Sequence, residues 1–141
     1  RVCVGSFSHS RLDRARQHRV TTSASPREVF SIRLGSLGWP NRLRPRVRAH
    51  CLQVPTHHHG VPVIDRRFVR FAHRVGMPVH VWTINSRDEM HRLLDVDVDG
   101  LMTDDLDVLA AVFAERGLPL SGIPAQLGSG GAVAAPKGSH R

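Results

Sequence analysis

The sequence predicts an α/β protein built on a parallel sheet. Short apolar runs that favour β-strands alternate with segments whose apolar residues recur at helical spacing, and we count about four such βα units. This alternation is typical of a parallel sheet with right-handed crossover connections. In such sheets the residues that carry chemistry collect at the carboxyl ends of the strands, so the polar residues that end each apolar run are candidate site residues.

The N-terminal part of the chain predicts one strand and a weak helix. Residues 2–7, VCVGSF, form an apolar run that favours a buried strand. In the following segment Ser8 or Ser10 can begin a helix, but only Leu12 and Ala15 supply an apolar face. Because a strand begins almost at residue 1 and no Met precedes it, we expect the natural chain to start further upstream.

A second helix begins in the segment ASPREVFSIRLGSLG. Ser25 fits the N-cap position, Pro26 fits the first helical position, and Glu28 completes a capping box. Val29 and Ile32 lie on the same side of this helix and predict its buried face.

The next two units have clearer signals. Residues 47–55 predict a strand, and after a histidine-rich loop Asp65 is the predicted N-cap of a helix that Gly76 ends. Pro78 then introduces residues 79–84, VHVWTI, which form the most regular strand signal of the chain.

The last two helices are predicted from their caps. Ser86 and Glu89 suggest a second capping box at the start of NSRDEMHRLLD. Residues 99–104 predict the last strand, and Gly117 ends the following helix. Either Asp104 or Asp105 can cap that helix, and Asp104 is the preferred N-cap. From residue 118 onward Gly, Pro, Ala and Ser dominate, so we predict one domain over 1–117 and a disordered tail over 118–141.

The chain is strongly basic, with a formal net charge of +8, and Lys137 is its single lysine. The excess of Arg has two explanations, a coding bias towards GC-rich codons or a basic surface that binds polyanions. The arginines are dispersed along the chain, which favours the first explanation. Cys3 and Cys51 lack the C-x-x-C spacing and predict buried free thiols in a reducing, cytoplasmic compartment. No apolar stretch reaches the length of a membrane span.

Two motifs near the end of the domain resemble a known family. VHVWTIN, a helix and then VDGLMTD are similar to the last two strands of the glycerophosphodiester phosphodiesterase family, and VGSFS resembles an earlier strand of the same family. The resemblance covers roughly residues 1–117. It departs from the usual pattern at Asp97, where Gly is common, and at Asp105 and Leu106, where a basic residue and Pro are common. The matching residues of the two motifs are Trp82, Thr83, Ile84 and Asn85, then Asp99, Gly100, Thr103 and Asp104.

The resemblance implies a fold and an activity for the complete family domain. It implies that this chain is the C-terminal half of a (β/α)8 TIM barrel whose complete form hydrolyses glycerophosphodiesters to an alcohol and glycerol 3-phosphate. The family uses Ca²⁺ or Mg²⁺, and its H-R-G and E-x-D motifs supply the acid, the base and the metal ligands. Neither motif occurs in this sequence. We therefore expect no catalytic residue and no metal ligand here, and we expect the chain alone to be inactive.

Four residues are candidate substrate-binding residues, namely Trp82, Phe7, Ser6 and Asn85. Trp82 would pack on the glycerol or head-group moiety, or else fill the barrel core. Asn85 would contact substrate, or else cap the following helix or form a turn. Histidines 57–59 are consecutive and diverge in most backbones, so they predict no metal site.

Two other functions are compatible with the sequence. A basic binding module for nucleic acid or anionic lipid would explain the charge, but the chain lacks basic patches interleaved with aromatic residues, so nucleic acid is the weaker hypothesis. A decayed, non-catalytic remnant is the other alternative. Half a barrel leaves two open sheet edges, which predicts self-association.

Overall fold

The computed structural model describes residues 3–40, 46–58 and 60–119. Within them the chain forms a mixed α/β fold with five helices. The strands are β1 Cys3–Val4, β2 Thr21–Thr22, β3 Leu52–Val54, β4 His57–His58, β5 Val61–Pro62, β6 Val79–Val81 and β7 Gly100–Leu101. The helices are α1 His9–Gln17, α2 Pro26–Ser36, α3 Arg66–Arg74, α4 Arg87–Asp95 and α5 Leu106–Glu115. The tail predicted for 118–141 lies outside the described residues from 120 onward.

The main sheet is parallel and its strands follow chain order. β1 pairs with β2, and β3 pairs with β6, which pairs with β7. A single parallel bridge between Ser23 and Cys51 joins β2 to β3. The five parallel strands therefore alternate with the five helices in the described chain. The prediction of about four units missed β2, because two threonines form no apolar run.

The two faces of this sheet have different surroundings. Side chains alternate between faces along a strand, and Leu52, Val54, Val79 and Val81 point to the face that the helices cover, where each is at most 1% exposed. Helix residues Phe68, Met90, Leu93 and Val112 complete this core. On the opposite face Ser23 and Cys51 are buried, whereas the other residues are half-buried or exposed, namely Cys3, Thr21, Gln53, His80 and Gly100. The core is therefore one-sided, and the second face of the sheet has little cover.

The thiols differ from the prediction. Cys51 is buried but Cys3 is exposed, because β1 lies at the edge of the sheet. Their sulfur atoms lie 3.5 Å apart on the less covered face. Burial, and then the contact with Cys3, raises the pKa of Cys51 to about 12, so this thiol stays protonated at neutral pH.

Two predicted helix caps are confirmed. The Ser25 hydroxyl accepts from the Glu28 N–H and the Glu28 carboxylate accepts from the Ser25 N–H, with Pro26 in the first turn. Asp65 accepts from the N–H of Phe68 at 2.8 Å. Gly76 has φ +74°, as the residue after a helix often requires.

Two other predicted helix starts are correct only in part. Ser86 occupies the N-cap position of α4, but the predicted capping box does not form, since the Ser86 side chain makes no cap bond and Glu89 pairs with Arg92 at 2.7 Å. At α5 the cap is Asp105, whose carboxylate accepts from the N–H of Val108 at 3.1 Å, and not Asp104.

Asp99 and Gly100 of the second motif have structural partners. Asp99 Oδ2 accepts from the Val79 N–H at 2.7 Å and lies 2.8 Å from His73 Nε2. A Cβ atom on Gly100 would lie 2.9 Å from the His80 ring. Asp99 therefore ties the start of β7 to the start of β6, and Gly100 makes room for His80 between the two strands.

A buried carboxylate joins the first two units to the third. The side chain of Glu28 has no exposed surface, and it accepts from Arg16 Nη2 at 2.9 Å and from the N–H of Arg48 at 2.8 Å. Arg16 also donates to Thr22 Oγ1 at 2.8 Å. Burial alone would raise the pKa of Glu28, but the bonds from Arg16, Arg48 and Ser25 outweigh it and lower the pKa to about 2.

Candidate functional site

The carboxyl ends of the five parallel strands lie at one edge of the sheet. Beyond β3 the chain forms an antiparallel hairpin, β4–β5, in which His58 pairs with Val61. The base of the hairpin is closed by a hydrogen bond from the Val63 N–H to the Thr56 carbonyl at 2.9 Å. The hairpin and the first turns of α2 stand on either side of a cavity at this edge.

The cavity measures about 770 Å³ and most of its walls are apolar. Its floor is formed by the ends of the strands, where Ser6, Ser23 and Gln53 supply polar groups. Its flanks are α2 and the hairpin. The lining residues of these flanks are Pro26, Val29, Phe30 and Arg33 on α2, and His58, Val61, Pro62 and Val63 on the hairpin.

Three of the four predicted substrate-binding residues meet at this cavity. Phe7 and Trp82 both line it, and their rings pack edge to face with centroids 6.3 Å apart. Ser6 lines it too, and its hydroxyl accepts from the N–H of Ser8 at 3.1 Å. The peptide bond between Trp82 and Thr83 is cis. Phe7 and Trp82, which lie 75 positions apart in sequence, thus form one aromatic rim.

Asn85, the fourth predicted residue, is not among the residues that line the cavity. Its Oδ1 atom accepts from Thr103 Oγ1 and from the Asp104 N–H, both at 3.0 Å. The Thr103 hydroxyl accepts in turn from the Asp105 N–H at 2.9 Å. Asn85 therefore joins the loop after β6 to the loop after β7.

Sequence reasoning missed the residues of α2 and the hairpin that form the flanks. Phe30 lies outside the predicted apolar face of its helix, and it is 58% exposed. Val61 lies in the histidine-rich segment that the sequence predicts to be a loop, and it is 64% exposed. No pattern in the sequence marked these residues, and only the structure shows that their large apolar side chains gather on one surface, as they often do at a binding groove.

A row of Ser25, His9 and Asp13 resembles a hydrolase triad but does not have its chemistry. His9 Nδ1 lies 2.9 Å from Ser25 Oγ, and His9 Nε2 lies 3.4 Å from Asp13 Oδ2. Ser25 is fully buried, and its hydroxyl donates its one proton to Glu28 Oε2. His9 must therefore donate to Ser25, which is the reverse of base activation.

The residues at the cavity do not fit a divalent cation. Ca²⁺ and Mg²⁺ prefer carboxylate and other oxygen ligands, and neither Asp nor Glu lines this cavity. Across the described ranges no group of three His, Cys, Asp or Glu side chains converges in a way that could hold a metal. His57 and His58 form β4, and His59 lies outside the described residues.

Comparison with known proteins decides the family. The model of the glycerophosphoryl diester phosphodiesterase family matches residues 1–108. The chain belongs to this family. Over 124 residues it is 40% identical to "Probable glycerophosphodiester phosphodiesterase 2" of Mycobacterium tuberculosis, covering 83% of this chain and 46% of that protein. Over 44 residues it is 39% identical to "Glycerophosphodiester phosphodiesterase GDPD4" of Arabidopsis thaliana, covering 31% of this chain and 13% of that protein.

A solved structure agrees with this assignment at the level of the fold. The chain superposes with a TM-score of 0.60 and 19% identity on a protein from Silicibacter pomeroyi assigned as a glycerophosphoryl diester phosphodiesterase. The match covers 82% of this chain and 39% of that one. This phosphodiesterase-family chain thus spans less than half the length of the mycobacterial relative and of the solved structure that it matches. In the part of the chain that the structure describes, no helix has the length and apolar character to cross a membrane.

Proposed function

We propose that the chain forms the C-terminal part of a glycerophosphodiester phosphodiesterase barrel and supplies one wall of its substrate pocket. The observation that carries the proposal is the one-sided sheet. The helices cover one face, where Leu52, Val54, Val79 and Val81 are buried, whereas Cys3, Thr21, Gln53, His80 and Gly100 of the other face are half-buried or exposed. In a closed TIM barrel this second face is the packed interior.

The strand count specifies what would complete the barrel. A TIM barrel closes with eight strands, so the five of this chain require three more. Two copies of this chain would bring ten strands, which is too many to close that barrel. The partner is therefore a segment of three βα units that pairs with the free edges of β1 and β7. Self-association through those edges is the competing event.

The missing units would also supply the chemistry. A phosphodiester anion repels a nucleophile, so hydrolysis needs a divalent cation to neutralise charge and positioned groups to move protons. We assign both tasks to the completing segment, since the cavity residues of this chain include no carboxylate. Ser6, Phe7 and Trp82 would hold the substrate, and Asn85 would hold the neighbouring loops in place. The substrate is a glycerophosphodiester and the products are an alcohol and glycerol 3-phosphate. The two free thiols fit a reducing compartment such as the cytoplasm.

The test is hydrolysis of glycerophosphocholine by the chain alone and by the chain combined with a completing segment. A suitable segment is the part of the Mycobacterium tuberculosis relative that lies outside the matched region. We expect release of glycerol 3-phosphate from the combined protein only, and we expect EDTA to abolish it. EDTA-sensitive turnover by the chain alone would overturn the proposal, and so would a properly folded, metal-loaded combination that is inactive.

A further inference from the structure

We propose that Cys3 and Cys51 form a site of reversible oxidation, at which a peroxide converts the two thiols into an intramolecular disulfide. The inference goes beyond the proposed function, because it concerns neither the cavity nor the hydrolysis of a phosphodiester. Its reactant is a peroxide, and its product is a covalent bond between β1 and the residue that directly precedes β3.

The two thiols lie against each other although 48 positions separate them in the chain. Cys3 belongs to β1, Cys51 pairs with Ser23 just before β3, and the two Sγ atoms lie 3.5 Å apart. Sulfur atoms at this distance are in van der Waals contact. Because β1 is a short strand at the edge of the sheet, a small movement of Cys3 brings the sulfurs to bonding distance.

The two thiols differ in the way that a peroxide-reactive pair requires. Cys3 is exposed, so a peroxide can reach its sulfur, whereas Cys51 is buried. Burial also raises the pKa of Cys51 to about 12, which keeps this thiol protonated at neutral pH. Since the thiolate is the nucleophile, Cys3 is the sulfur that attacks the peroxide. Cys51 then acts as the resolving thiol beside it.

The oxidation takes place in two balanced steps. The Cys3 thiolate attacks one peroxide oxygen, the O–O bond breaks, and the departing oxygen takes up the proton that Cys3 released. Cys3 is now a sulfenic acid. The Cys51 sulfur then attacks the Cys3 sulfur, the S–O bond breaks, and the departing hydroxide leaves as water with the Cys51 proton. Two electrons pass from the thiols to the peroxide, and an added dithiol returns them by thiol–disulfide exchange.

A metal site would be the other use of two adjacent thiols. Structural zinc is held by four protein ligands, and catalytic zinc by three. In the ranges that the structure describes, no third Cys, His, Asp or Glu converges with Cys3 and Cys51 in a way that could hold a metal. A pair of thiols is sufficient for a disulfide, so the arrangement suits oxidation better than metal binding.

The disulfide would cross the weakest connection of the sheet. One bridge, between Ser23 and Cys51, joins β2 to β3. A bond from Cys3 to Cys51 closes a loop that contains α1, β2 and α2. A cross-link between residues that are distant in the chain restricts the unfolded state and so stabilises the folded one. Oxidation is therefore expected to hold β1 and β2 more firmly against β3.

The first test treats the purified, reduced chain with hydrogen peroxide and then alkylates the remaining thiols. Peptide mass spectrometry without reduction reads the products. We expect a peptide that contains Cys3 to be joined to one that contains Cys51, and dithiothreitol to release both. Three results would overturn the inference, namely two thiols that remain alkylatable, a disulfide between two copies of the chain only, or oxidation of Cys3 that stops at the sulfinic acid.

Two matched variants test the separate roles of the thiols. Cys51→Ser leaves Cys3 without its resolving partner, so dimedone should trap the sulfenic acid of Cys3. Cys3→Ser leaves only the buried thiol, which should remain alkylatable after unfolding. Circular dichroism verifies that both variants fold. Equally fast oxidation of the single thiols in the two variants would contradict the assigned roles.

Hydrogen exchange tests the structural consequence in the parent chain. The N–H groups of Ser23 and Ala24 donate to the carbonyls of Val4 and Cys51, at 3.0 and 2.9 Å. Both amides should exchange about tenfold more slowly, or slower still, in the oxidised chain than in the reduced chain. Peroxide-treated Cys3→Ser is the control and should show no change. Equal exchange in oxidised and reduced parent chain would refute the stabilisation of this connection.

Discussion

Arg16 donates through Nη2 to Oε2 of Glu28 at 2.9 Å, and this ion pair lies almost entirely inside the protein. Removing the cation would leave a buried carboxylate without its charge partner. We therefore expect Arg16→Met to lower the free energy of unfolding by about 3–5 kcal/mol. Urea titration followed by circular dichroism measures the loss.

Arg92→Met is the control for this variant. Arg92 pairs with Glu89 at 2.7 Å, but both side chains remain partly exposed. Such a surface pair contributes at most about 1 kcal/mol. Similar losses from the two variants would contradict the assignment of Glu28 as a buried anchor.

The low pKa of Glu28 predicts a specific acid dependence. The pKa lies at about 2 in the folded chain against an ordinary value of 4.5 for a glutamate carboxyl, so the carboxylate stabilises the fold above pH 4.5 and loses that contribution as the pH falls towards 2. Glu28→Gln cannot titrate. The difference in unfolding free energy between the parent and Glu28→Gln should therefore shrink as the pH falls through this window. A difference that stays constant from pH 6 to pH 2 would rule out the linkage.

The close approach of Gly100 to His80 predicts a compensating pair of substitutions. The added Cβ of Gly100→Ala would lie 2.9 Å from the His80 ring and should cost about 1–3 kcal/mol of stability. His80→Ala removes the ring, so the cost of Gly100→Ala should largely disappear in that background. A double-mutant cycle of thermal unfolding measures this, and strict additivity would argue against the contact.

The hydrogen bonds that Asn85 accepts predict that two substitutions of this residue will lower stability by different amounts. Asn85→Ala removes the acceptor for Thr103 and Asp104 and should cost about 1–2 kcal/mol. Asn85→Asp keeps an oxygen at that position and should cost less. Chemical denaturation of both variants measures the ranking, and the reverse order would mean that the amide donor of Asn85 matters more than Oδ1.

The position of Trp82 in the aromatic rim predicts that its removal weakens substrate binding in the completed barrel. Trp82→Ala removes one ring of the aromatic rim and leaves Phe7 without its partner. We expect the KM for glycerophosphocholine to rise roughly tenfold with little change in kcat, the pattern of lost uniform binding. Trp39→Ala is the control, since Trp39 is half exposed and does not line the cavity. A fall in kcat at unchanged KM would assign Trp82 to a different step.

The sequence predicted correctly those helix starts whose interactions involve only residues close to one another in the chain. Ser25, Pro26 and Glu28 lie within four residues, and their capping box forms as predicted. The signal stops there, because Arg16 lies 12 residues before Glu28 and is brought to it only by folding. The false capping box at Ser86 has a different cause, because two local partners compete there and Glu89 pairs with Arg92 within one turn.

The candidate site shows the same division. The motif positions placed Ser6, Phe7 and Trp82 at strand ends, and parallel pairing then brings the three to one cavity. The flanks were not predictable, because Phe30 reads as a solvent-facing helix residue and Val61 as part of a loop. β2 was missed for a related reason. Thr21 and Thr22 become a strand through pairing with β1 and not through any pattern of their own.

The connection between β2 and β3 is narrow, so the two sides of the sheet can unfold locally at different free energies. One bridge pairs these strands, supported by backbone bonds from Ala24 to Cys51 at 2.9 Å and from His50 to Thr22 at 3.0 Å. Glu28 reinforces the same connection by accepting from the Arg48 N–H. In native-state hydrogen exchange, such a boundary separates cooperative units that open at different free energies. The buried carboxylate thus governs how strongly the opening of β1 and β2 is coupled to that of the remaining sheet.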